Sequence, residues 1–138
     1  MKERKIPTPE KVMIIEDEKD LCYLLAVVLK QNNLRPACVY SIKEAKKIIR
    51  EIKPSIVFLD NHLPDGYGFD FIILLKAIYP DTKIVMITAQ DSPADIDLAF
   101  RRGADYFISK PFDVATINTI LNLLTTEFSK KPIPHLTS

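Results

Sequence analysis

Asp60 closes a short apolar run, Ser55-Ile56-Val57-Phe58-Leu59-Asp60, and the turn formers Asn61-His62-Leu63-Pro64-Asp65-Gly66 follow at once. A carboxylate at the carboxyl end of a buried strand sits where open α/β sheets bind their ligands. Three other apolar runs end in reactive groups. Val12-Met13-Ile14-Ile15 leads into Glu16-Asp17-Glu18, Lys83-Ile84-Val85-Met86-Ile87 into Thr88-Ala89, and Tyr106-Phe107-Ile108-Ser109 into Lys110-Pro111. Placed side by side as parallel strands, these runs gather carboxylates, a hydroxyl and an ammonium at one sheet edge. Carboxylates brought together repel one another unless a cation or protons intervene. Hard oxygen donors of this kind suit Mg²⁺, which keeps several waters and usually takes one or two carboxylates. For any single acid, a solvated loop residue is the better reading. That reading weakens when the acids at Glu16, Asp17 and Asp60 lie at adjacent strand ends.

The other candidates carry less weight alone. Thr88 offers a hydroxyl to a phosphoryl oxygen, although a β-branched residue finishing a strand explains it as well. Ala89 leaves room beside it and is equally a plain loop alanine. Lys110 can pair with Asp60 or with a phosphate on it. A cis bond before Pro111 would aim that lysine across the strand ends, but only about 5–6% of X-Pro bonds are cis, so trans is the local expectation. Tyr106 lies within the fifth strand, where core packing suffices. His62, two positions past Asp60, offers a backbone carbonyl to a metal; its side chain reads as an exposed loop histidine. His135 needs no function.

These groups require a scaffold, and the rest of the chain supplies one. Strands are predicted over 12–16, 35–40, 55–60, 83–88 and 105–109. All but 35–40 are near-continuous apolar runs, as parallel strands covered on both faces require. Helices alternate with them. The first, about 19–31, places Leu21, Leu24, Leu25, Val28 and Leu29 on one stripe. The second opens on the capping-box pattern Ser41-Ile42-Lys43-Glu44 and stops before Pro54. The third, about 67–79, is apolar almost all round. The fourth starts at Ser92-Pro93 and ends at Arg101-Arg102-Gly103. The fifth, about 114–128, buries Ile117, Ile120, Leu121, Leu124 and Phe128. Five alternations with short connections predict a doubly wound five-stranded parallel sheet, order 2-1-3-4-5, with five helices. Residues 1–11 read as a flexible leader, 12–128 as one domain, and 129–138 as a tail or linker stub.

Bulk properties narrow the function classes. The 138 residues are 47% hydrophobic and 27% charged with a net charge of +1, giving no reason to expect nucleic-acid or membrane binding. No apolar stretch approaches the roughly 18 residues of a membrane span, and the N-terminus lacks a secretory core. Cys22 and Cys38 show neither metal nor redox spacing. Buried free thiols in a reducing, cytosolic setting are expected.

Taken in order, Val12 to Asp17, Ile56 to Asp60, Leu63-Pro64 with Gly68, Ile87-Thr88-Ala89, Gly103-Ala104-Asp105-Tyr106 and Lys110-Pro111-Phe112 resemble the receiver domain of two-component response regulators, over about residues 12–128. The resemblance implies a flavodoxin-like receiver fold in the cytoplasm. It implies that Asp60 accepts a phosphoryl group from a sensor histidine kinase or histidine phosphotransfer protein. Mg²⁺ would be held by Asp17 directly, Glu16 through water, Asp60 and the carbonyl of His62. Lys110 would hold a phosphoryl oxygen, and Thr88 and Tyr106 would form a switch pair. That pair would reshape the face of the fourth helix, fifth strand and fifth helix for a downstream protein, a fused output domain or a homodimer. Such a domain is a phosphoacceptor switch rather than an enzyme, although it takes part in its own phosphorylation and dephosphorylation. Glu16 stands where Asp is common in the family, and His62 is an unusual choice at a position that influences dephosphorylation. The outward remainder of the apolar third helix reads as a partner patch.

Three other readings compete. A flavodoxin-like electron carrier needs a phosphate-cradling loop after the first strand, but Glu16-Asp17-Glu18-Lys19-Asp20 would repel a flavin phosphate. An Asp-nucleophile phosphohydrolase needs a second Asp two residues after the first, where this chain has His62. A degenerate receiver that only docks would lack some of the key groups, all of which are present.

Overall fold

The structure, a computed structural model, describes residues 10–129, with side chains described to residue 126. Most of the leader and tail segments therefore lie outside the described residues, as does the side chain of Phe128.

Five strands form one parallel sheet: β1 (Lys11–Ile15), β2 (Arg35–Val39), β3 (Ile56–Leu59), β4 (Lys83–Thr88) and β5 (Tyr106–Ser109). Their spatial order is β2-β1-β3-β4-β5, as the alternating pattern predicts. Five helices connect or follow them: α1 (Lys19–Gln31), α2 (Ile42–Ile52), α3 (Gly68–Ile78), α4 (Pro93–Arg102) and α5 (Val114–Ser129). A two-stranded hairpin, His62–Leu63 with Gly66–Tyr67, fills the loop between β3 and α3.

Apart from the edge strand β2, the strands are largely apolar because both faces are covered. Val12 and Ile14 of β1 pack with α1 and α5, through Cys22, Leu25, Ile117 and Leu121. Met13 and Ile15 point the other way, onto Ala45 and Ile49 of α2, Ile72 and Leu75 of α3 and Ala99 of α4. Each fully buried aliphatic chain contributes roughly 1.5–3 kcal/mol. Burial of these alternating sets therefore fixes strand register, since a one-residue slip would exchange the two faces.

Local signals set the helix ends, with differences from the sequence reading. Ser92 and Asp95 form a reciprocal capping box on α4, and Gly103 ends it at φ 121°. On α2, Ser41 accepts the Glu44 N–H, but the Glu44 carboxylate accepts the N–H of Tyr40 instead, so that box is half formed. Lys53 ends α2 in the left-handed conformation ahead of Pro54. The buried stripe of α1 runs through Cys22, Leu25, Val28 and Leu29, while Leu24 is 42% exposed. The expectation of free thiols fails: Cys22 and Cys38 are joined as a disulfide, their Cα atoms 6.2 Å apart. The reason is that α1 packs directly on β2, which a separation of 16 residues does not reveal. Among the described residues, no helix is long and apolar enough to cross a membrane.

Candidate functional site

The carboxyl ends of β1, β3, β4 and β5 converge, because parallel pairing puts all four on one edge. Backbone bonds hold them there. Asp60 N donates to Ile15 O at 3.0 Å, Glu16 N to Val39 O at 3.0 Å, and Lys110 N to Thr88 O at 3.0 Å. The edge opens into a cavity of about 250 Å³ lined by Asp17, Asp60, Thr88, Gln90 and Lys110, among others.

The acids are unequal. Asp17 is exposed, whereas Glu16 and Asp60 are buried. One oxygen from each of the three lies within 4.8 Å of the others. The Lys110 Nζ reaches among them, 2.9 Å from Glu16 Oε1, 3.4 Å from Asp60 Oδ2 and 3.8 Å from Glu18 Oε2. Its closest partner is thus Glu16, not the Asp60 favoured by the sequence. Burial, helped by the charge of Asp60, raises the Glu16 carboxyl to about 7 against the pull of Lys110 and the Glu18 N–H. Lys110 is raised above its usual range: burial opposes its charge, but Glu16 and Asp60 outweigh that.

Glu16 Oε2 accepts the Glu18 N–H, but Glu16 Oε1 is buried without a hydrogen bond. Lys110 stands at ion-pair distance from it without hydrogen-bond alignment. An unsatisfied carboxylate oxygen is costly unless a cation or donor meets it. The three clustered carboxylate oxygens make an all-oxygen donor set that fits a hard divalent cation such as Mg²⁺.

Thr88 is 2% exposed, and its hydroxyl accepts the Gln90 N–H at 3.1 Å. The Lys110–Pro111 bond is cis, not trans as the local expectation had it. His62 is exposed, its ring 5.6 Å from that of Tyr67.

The pairing of Thr88 with Tyr106 is corrected by register. Val85 stands opposite Tyr106, Met86 opposite Phe107 and Thr88 opposite Ser109. Side chains alternate along a strand, so Phe107 shares the face of Met86 and Thr88, while Tyr106 shares that of Val85. The packing agrees: Tyr106 joins the cluster under α1 and α5, and Phe107 the cluster under α2, α3 and α4. Phe107 is therefore the aromatic on Thr88's side of the sheet.

Sequence reasoning also missed Asn61, 3% exposed. Its side-chain carbonyl accepts the Phe69 N–H at 2.9 Å, and its amide donates to the side chain of Gln90. It thus ties the loop bearing Asp60 to the start of α3 and to the loop after β4. Its residue type reads simply as a turn former, and no sequence signal separates the two roles.

A doubly wound domain with a metal-ready acidic edge and a lysine across it is the architecture of a receiver, and the comparisons agree. The response regulator receiver domain profile matches residues 12–122. The chain is 30% identical over 128 residues to the response regulator protein PilR of Pseudomonas aeruginosa, covering 90% of this chain and 29% of that protein. It is 32% identical over 121 residues to the phosphate regulon transcriptional regulatory protein PhoB of Klebsiella pneumoniae, covering 83% and 53%. In fold it resembles a two-component response regulator from Clostridium difficile, with TM-score 0.83 at 23% identity over 88% of this chain and 99% of that one. The chain belongs to the response regulator receiver domain family. It spans about a third to a half of the length of the curated relatives.

Proposed function

We propose that Asp60 accepts a phosphoryl group from the phosphohistidine of a sensor kinase or phosphotransfer protein in a Mg²⁺-dependent reaction, and that this resets the α4–β5–α5 face. A downstream protein, a fused output domain or a second copy of the chain would read that face, in the cytoplasm. The observation that carries this reading is the position of Asp60 Oδ2, 3.4 Å from the Lys110 Nζ, beside clustered carboxylate oxygens in an open cavity.

An Asp60 oxygen forms the new P–O bond as the donor's P–N bond breaks, its electron pair returning to the imidazole nitrogen. Aspartyl carboxylates are an established class of covalent nucleophile. Phosphoryl transfer needs positioning and charge neutralisation above all. Glu16, Asp17, Asp60 and the His62 carbonyl would hold Mg²⁺, which supplies positive charge to the phosphoryl oxygens. The Lys110 ammonium exchanges its carboxylate partners for one of those oxygens. The Thr88 hydroxyl, which still has its own proton to donate, turns toward another. Phe107 then moves into the space on Thr88's side of the sheet, taking the place first expected of Tyr106. The domain is a switch rather than an enzyme in the ordinary sense.

Amide spectra recorded with Mg²⁺ and beryllofluoride test this. The wild type should shift at residue 88 and across 93–109. Lys110→Ala should keep a folded spectrum and lose most of those changes. Shifts confined to the Asp60 loop would overturn the switching account.

A further inference from the structure

We propose that the groove between α2 and α3 docks an acidic, amphipathic helical segment of a partner protein. Two adjoining cavities, of about 280 and 410 Å³, share Arg50, Ile78 and Tyr79. Ile49, Phe71 and Leu75 form a buried floor, and Leu74 and Ile78 stand at the rim, 39% and 56% exposed. Ile73, 54% exposed, extends the apolar surface on α3. Apolar exposure of this kind on a charged domain marks an interaction site.

The charge around the groove selects the occupant. Lys46, Arg50 and Lys53 line the two cavities against one acid, Asp81. The rest of α2 adds Lys43 and Lys47; of its two acids, Glu44 is engaged by the Tyr40 N–H, and Glu51 lines a separate cavity with Lys11 and Arg35. A second copy paired face to face would set Lys46 and Arg50 against their equivalents. The segments flanking the described residues fit no better: residues 1–9 carry Lys2, Arg4 and Lys5 against Glu3, and residues 130–138 carry Lys130 and Lys131 with no acid. A flat anionic bilayer would touch the rim but not the recessed floor. Both walls are helices with no open strand edge, so the matching mode is a helix laid in a groove, with anchors at i, i+3 or i+4. Both walls are also pinned to the loop that bears Asp60. Asp65 accepts the N–H groups of Ile42 and Lys43 at the start of α2, and Asn61 that of Phe69 at the start of α3.

The test uses a fluorescein-labelled peptide of about 15 residues, long enough to hold a helix, with leucines at helical spacing and glutamates on the other face. A matched peptide carries lysines instead. The acidic peptide should bind about tenfold tighter or better, shift amides within 46–53 and 71–79, and weaken with salt. Ile78→Glu and, separately, Lys46→Glu with Arg50→Glu should each reduce binding about tenfold; all three positions are exposed, so the fold should survive. Equal binding of the two peptides, or indifference to both variants, would overturn the proposal. Two further outcomes would also overturn it: binding only to phosphatidylserine vesicles, or a dimer in sedimentation that Ile78→Glu dissolves.

Discussion

Gly68 opens α3, and its N–H donates to Asn61 O at 2.8 Å. A Cβ at this position would lie 2.2 Å from Asp60 O, 3.0 Å from Asp60 C and 3.1 Å from Asn61 Cα. Side-chain carbons do not approach closer than 3.0 Å, so Gly68→Ala must open a gap of roughly 0.8 Å. The crowded atoms are backbone, and no rotamer change relieves them. Forcing an extra methyl into a packed site costs about 1–3 kcal/mol. Alanine recovers at most about 1 kcal/mol through its helix preference. A net loss of about 1–2 kcal/mol lowers Tm by roughly 3–10 °C in a domain of this size. Because the displaced carbonyl belongs to the acceptor residue, acetyl phosphate labelling at Asp60 should also slow. Thermal melts followed by circular dichroism, with labelling by intact mass, measure both. A Tm within about 2 °C of wild type, with unchanged labelling, would refute the close approach of α3 to Asp60 on which the reasoning rests.

Two further outcomes are expected. The Ile42 N–H, with that of Lys43, holds the Asp65 carboxyl below its ordinary value of 3.8. A depressed carboxyl contributes stability above its unfolded pKa and loses it as pH falls through the folded one. Asp65→Ala should therefore cost about 1 kcal/mol at pH 7, as loss of a helix cap does, and less below about pH 3.8. Urea titrations at both pH values read the difference; an equal cost at both would contradict it. Phe107→Ala should weaken the beryllofluoride-induced amide shifts over α4, and Tyr106→Phe should leave them intact. The reverse pattern would restore Tyr106 as the switch aromatic.

The sheet was legible because parallel strands covered on both faces leave uninterrupted apolar runs, as Met13-Ile14-Ile15 and Ile56-Val57-Phe58-Leu59 do. The convergence of Glu16, Asp17, Asp60, Thr88 and Lys110 followed once strand order was read from the alternation. Face assignment within β5 was not legible. Tyr106 and Phe107 are both large aromatics in a strand whose two faces are both covered, so neither hydropathy nor size says which meets Thr88. The disulfide needed the proximity of α1 and β2, and the orientation of α1 turned on a cysteine displacing a leucine from the stripe. The preference of Lys110 for Glu16 depends on how deeply each acid is buried, which strand ends alone do not reveal.

The central claim is that Asp60 is a metal-assisted phosphoacceptor. Intact-mass analysis after incubation with acetyl phosphate tests it most directly, with and without Mg²⁺, on wild type and Asp60→Asn. One phosphoryl group should add to the wild type only when Mg²⁺ is present, and none to the variant. Labelling that ignores Mg²⁺, or that persists in Asp60→Asn, would contradict the claim.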